Sequence, residues 1–152
     1  MHPLEPMASL LEWAARNTAY NMEFIPADKL GWKPAPTAKS AYEIIQHVCA
    51  AVGGMLPVLA GASEWLPSEE PLPGTLGEAQ QQLLSRSETY AAALRQVPPS
   101  ELSRTITIAG SFHMPLARAA SMPVVDLIHH HGQIAYIQTL LGDEEFHFVP
   151  EA

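Results

Sequence analysis

The chain is poor in several things, and each shortage removes a class of function. Cys49 is its single cysteine, so no internal disulfide can form and a reducing cytoplasm is the expected setting. Eight lysines and arginines stand against sixteen acidic residues, a net charge of −8. Nucleic-acid binding needs a concentrated basic face to displace counterions, and these few cations are spread thinly, so no nucleic-acid partner is expected. No apolar run reaches the roughly 18 residues that span a bilayer. The nearest, Val48 to Ala62, is interrupted by Gly53, Gly54, Pro57 and Gly61. The first residues also lack the basic stretch and cleavage pattern of a signal peptide, and no membrane partner is expected.

What is present is an apolar fraction of 47% over 152 residues, which suits one domain, residues 1–152, with a buried core. Leu4, Met7, Leu11, Ala14, Thr18, Met22 and Ile25 recur at three- and four-residue spacing and predict an amphipathic helix that Pro26 ends. A connection punctuated by Trp32, Pro34 and Pro36 follows. Ser40-Ala41-Tyr42-Glu43 is a capping box opening a second helix with a seam of Ile44, Val48, Val52 and Met55. Gly53 and Gly54 would let another helix approach closely, and Pro57 bends or ends this helix near Leu59. A loop over 61–74 leads to a second capping box, Thr75-Leu76-Gly77-Glu78, and a third helix through Leu83, Tyr90 and Leu94 to Pro98-Pro99. Arg104 to Ile108 alternates like a short strand, with Phe112 to Met114 as the other arm of a hairpin. The last helix starts at Ser121 and Pro123 and runs to Leu141, with Gly142 as its cap. The tail, 143–152, has no clear pattern. The expected class is therefore all-α: a four-helix bundle with long connections, at least one of them a crossover, and a short β-hairpin before the last helix.

Three consecutive histidines, 129–131, interrupt the apolar run of that last helix. Successive residues are about 100° apart on a helix, so the three cannot share a face. Relative to Asp126, His130 lies about 40° one way, His129 about 60° the other, and His131 about 140° away. Asp126 and His130 are thus an i, i+4 pair able to chelate one ion, with Gln133 further along the same face.

Three stretches in order carry a family resemblance: Leu30-Gly31-Trp32-Lys33-Pro34, Ser40 through His47, and His130-His131-Gly132-Gln133. Together they make the chain resemble the DinB-like (YfiT-like) metal-binding four-helix bundles along most of its length. The resemblance implies a divalent ion in a bundle cleft, often zinc or nickel. It also implies a homodimer and thiol-dependent transferase or isomerase chemistry with a low-molecular-weight thiol and a small electrophile. Hydrolysis through an activated water is a variant. Residue by residue, His47 takes the place of the family's second-helix ligand and His130 that of the histidine before the basic-Gly-Gln segment. Asp126 stands where the family has another histidine. Either the site is two histidines and a carboxylate, a set that suits zinc and also iron(II), or the site is vestigial in a non-catalytic dimeric bundle. His129 is the alternative ligand. Glu43 and Gln133 are candidates to orient the ligands.

The remaining conspicuous residues have simpler readings. His131 is a solvated or interface residue, His2, His113 and His147 have no shared role, and Cys49 is a small core residue. Trp13, Trp32 and Trp65 are packing residues. Asn17 and Asn21 are either exposed or line a polar pocket. Glu69-Glu70 and 143–145 are solvated loops.

Overall fold

The computed structural model describes residues 2–150, so the last two positions of the predicted tail lie outside the described residues. Four long helices form the body: α1 (Glu5–Asn21), α2 (Ala41–Leu59), α3 (Leu76–Gln96) and α5 (Met122–Leu140). Between them lie β1 (Glu64–Trp65), β2 (Thr105–Ile108), β3 (Phe112–Pro115) and the short α4 (Leu116–Ala119).

Both capping boxes form. The Ser40 and Thr75 hydroxyls accept from the amides of Glu43 and Glu78, whose carboxylates return to the cap amides, and this fixes where α2 and α3 begin. α1 ends earlier than its apolar seam. Asn21 closes the α-helical part, and a 3-10 turn over Met22–Phe24 carries Met22 and Ile25 into the core. Ser121 has helical backbone angles and makes no side-chain cap; its hydroxyl donates to the Arg118 carbonyl instead. The start of α5 is therefore set by α4 and by Pro123 in its first turn.

α1 and α2 each pack against both α3 and α5, so the first two helices sit diagonally across the bundle. The 22–40 connection is the expected crossover. β2 and β3 form the expected antiparallel hairpin, and β1 adds a third strand, parallel to β2, that the sequence reading does not contain. The glycine pair in α2 admits this 64–70 segment rather than a helix: a side chain at Gly54 would overlap the Leu66 carbonyl oxygen, and one at Gly53 would overlap the Ser68 hydroxyl. α2 is long and apolar enough to suit a bilayer, but Ile44, Ile45, Val48, Val52 and Met55 are spent on the bundle core.

Two acidic groups read as solvated are structural. The Glu70 side chain is 2% exposed and its carboxylate meets Arg86 of α3 at 2.8 Å, with the Ser68 hydroxyl donating at 3.0 Å. A buried carboxylate persists only with such partners. Asp143 accepts from the Glu145 amide and lies 2.8 Å from His147, and these contacts hold its carboxyl below the usual range. The tail is likewise not patternless in space. Val149 donates its amide to Asn17 and the His147 carbonyl accepts from Asn21. The His147 ring stacks on Phe24 with centroids 3.5 Å apart, and Phe148 stacks on Trp13. Asn17 and Asn21 are thus buried anchors for the tail, and His147 packs it against Phe24.

Candidate metal centre

α2 and α5 pack side by side, which brings together residues 79 positions apart in sequence. His47 comes from the middle of α2, and Asp126 and His130 come from one face of α5. Their ligand-type atoms all lie within 4.8 Å of one another. His47 Nε2 is 3.6 Å from Asp126 Oδ2, and His130 Nε2 is 3.4 Å from Asp126 Oδ1. The carboxylate therefore sits between the two imidazoles, whose ring centroids are 4.8 Å apart.

The neighbouring groups set the protonation of these rings. His130 Nδ1 is 2.7 Å from Gln133 Oε1. An amide oxygen only accepts, so Nδ1 carries a proton and Nε2 is the nitrogen turned toward Asp126. The same glutamine donates its amide to His129 Nε2 at 3.0 Å. His129 lies outside the cluster of ligand-type atoms. Burial pushes the His47 pKa down, with His130 and Lys39 adding to the fall and the Asp126 charge opposing it. The net effect favours the neutral, ligating form. Burial pushes the Asp126 carboxyl up, but the contact with His130 and the charges of His130, His47 and His129 outweigh it, and the carboxyl stays below its usual range.

Asp126 Oδ2 is buried and has no hydrogen-bond partner among the described residues. An orphaned carboxylate oxygen normally costs several kcal/mol, on the order of the desolvation of a charged group. Facing His47 Nε2, while Oδ1 of the same carboxylate faces His130 Nε2, it fits a site shaped for a cation. Two histidines and one carboxylate on three-point geometry leave open positions for water or substrate.

Gln133 takes the orienting role expected of it; Glu43 does not. The Glu43 carboxylate is committed to the Ser40 amide at 2.8 Å and Lys33 at 2.6 Å, which belong to the α2 cap. His131 points into the groove between α5 and α1, half-buried, edge-on to Trp13 and within 3.2 Å of the Asn21 amide. It is neither solvated nor near the cluster. Cys49 is fully buried, and burial pushes its thiol up to about 12, so it remains a core residue and no nucleophile. His47 stands where three depressions meet. One, of about 680 Å³, is polar and includes Lys33, Lys39 and Glu69. A second, of about 620 Å³, is lined by Met55, Trp65, Met122, Val125 and Asp126. The third, of about 580 Å³, runs past His130 and Gln133 to Tyr136. Trp65 was not an expected site residue. Its ring is held in the second cleft by an indole N–H donated to the Ala51 carbonyl.

The family model for the DinB superfamily matches residues 10–134, a span containing all three residues of the cluster. Among solved structures, a DinB-like protein of Bacillus subtilis, YjoA, is similar, with a TM-score of 0.74 at 20% identity over 94% of this chain and 96% of that one. No curated protein matches the sequence.

Proposed function

We propose, given that the chain belongs to the DinB superfamily, that His47, Asp126 and His130 hold one divalent ion, zinc or nickel before iron, in a site that activates a thiol or water. The observation that carries this is the buried, unpartnered Asp126 Oδ2 aimed at His47 Nε2. A vestigial site would be expected to lose that cost by relaxing the carboxylate toward solvent or a donor. A bound divalent ion supplies Lewis acidity that lowers the pKa of a thiol or water beside it. The chain's own residues do the rest. Gln133 orients the His130 ring, partial desolvation shifts His47 toward its neutral form, and Asp126 offsets one of the two positive charges. The polar and apolar clefts on either side of His47 give two reactants separate approaches to one point. Thiol transfer to a small electrophile uses both approaches, and hydrolysis uses one.

The test is metal content of untagged protein after dialysis against zinc, nickel or iron(II), alongside Asp126→Ala, His47→Ala and His130→Ala. The wild type is expected to retain about one ion per chain and each variant to lose most of it. A wild type that retains none refutes the reading. Unchanged retention in Asp126→Ala removes Asp126 from the ligand set. Thiol consumption with a panel of electrophiles then separates transferase from hydrolase chemistry.

A further inference from the structure

The second cleft has a feature that metal holding does not use. Arg118, at the end of α4, lies on its wall one turn before Met122, on a stripe that continues through Val125 and Asp126 to His129. The chain carries twice as many acidic as basic residues, so a carboxylate partner is easy to find. Arg86, Arg95 and Arg104 each have one, at 2.7 to 3.0 Å, whereas Arg16 and Arg118 have none among the described residues. Arg118 is exposed, has no ion pair or side-chain hydrogen bond among the described residues, and borders a cleft that joins the apolar Met55, Trp65, Met122 and Val125 to the polar Asp126. A planar cation left unpaired beside apolar walls is a recognition element for a planar anion, which it can bind through two parallel hydrogen bonds. A volume of about 620 Å³ matches a small organic molecule rather than a peptide or a single ion.

We propose that this cleft binds a small amphiphilic anion, an aromatic or branched apolar body carrying one carboxylate or similar oxyanion. Its head meets Arg118 and its body lies between Trp65, Met122 and Val125. The proposal deepens the metal-centre reading, since the same cleft opens on Asp126 and such a molecule would be the substrate approaching from the apolar side. As a binding site it stands on Arg118 and the cleft walls alone.

Calorimetric titration with phenylbutyrate and its neutral counterpart phenylbutyramide tests it, on metal-free and zinc-loaded protein, with zinc content measured separately. The acid is expected to bind about 10-fold more tightly than the amide, as a charge-assisted pair predicts. Arg118→Gln should erase that preference while leaving amide binding intact. Val125→Glu, at an exposed position on the cleft wall, should weaken both ligands. Circular dichroism confirms that each variant is folded. Equal binding of acid and amide, binding of neither, or a preference that survives Arg118→Gln overturns the proposal. Zinc retained without an acid preference refutes the cleft and spares the metal centre. An acid preference in protein that holds no zinc does the reverse.

Discussion

Gly54→Ala is expected to destabilise the protein even though alanine is the better helix former. Gly54 is buried in the interior of α2, where the exchange would ordinarily gain about 1 kcal/mol. The added Cβ, however, would overlap the Leu66 carbonyl oxygen and lie 2.8 Å from its carbon and 3.0 Å from Pro67 Cα. These are backbone atoms and cannot rotate away, so the 64–70 segment must lift from the helix. That puts at risk the Ser68 amide bond to the Ala50 carbonyl, the Trp65 indole bond to the Ala51 carbonyl and the Thr107 amide bond to the Ser63 carbonyl. Each contributes about 1 kcal/mol, and overpacking costs about 1–3 kcal/mol more. The net loss after the helix gain, if all three bonds are lost, is about 3–5 kcal/mol, which for this size lowers Tm by roughly 6–20 °C. Urea unfolding followed by far-UV circular dichroism measures it. Gly53→Ala is the control. Its obstruction consists of side-chain rather than backbone atoms, those of Ser68 and Glu70, so a smaller loss than for Gly54→Ala is expected. A Gly54→Ala variant as stable as wild type, or one no worse than Gly53→Ala, would refute the close-approach argument.

Gln133→Leu should leave all three candidate ligands in place yet weaken zinc binding about 10- to 100-fold, the usual effect of removing a ligand's orienting partner; competition against a chromophoric chelator reads this. Arg86→Met strands the buried Glu70 carboxylate, and a loss of about 2–4 kcal/mol is expected in denaturant unfolding. Glu5 and Glu12 both pair with Arg95, which holds their carboxyls below their ordinary value of 4.5. Because the folded pKa values are depressed, the stabilisation is complete above about pH 4.5 and disappears as pH falls through the folded values. The Tm difference between wild type and Arg95→Gln should therefore be constant from about pH 5 to 8 and close below about pH 4.

Much of the fold was legible because its signals are local. Ser40 with Glu43 and Thr75 with Glu78 each place a helix start through contacts three residues apart. The pairing of Asp126 with His130 follows from helix periodicity alone, and its meeting with His47 followed from the family resemblance. What escaped depends on partners distant in sequence. Glu70 reads as a loop acid until Arg86 is brought to it. Glu43, already part of a capping box, looked free to orient a ligand as well because Lys33, which takes its other oxygen, comes from the preceding connection. β1 is two residues long, below any alternation signal, and owes its existence to β2 rather than to its own sequence. His131 and the tail were misjudged for one reason. The α1 face that receives them, Trp13, Asn17 and Asn21, is assembled from residues more than 100 positions earlier.

The diagonal placement of α1 and α2 has a consequence for biosynthesis. As the chain leaves the ribosome, α1, α2 and α3 can associate, because α3 touches both of its predecessors. The remaining flank of α2, the most apolar helix of the chain, waits for α5, which also delivers Asp126 and His130. Until α5 is made, a helix apolar enough for a bilayer stays partly uncovered, the kind of surface that recruits chaperones or aggregates. Chains stopped before α5 should accordingly be insoluble rather than soluble and partly functional.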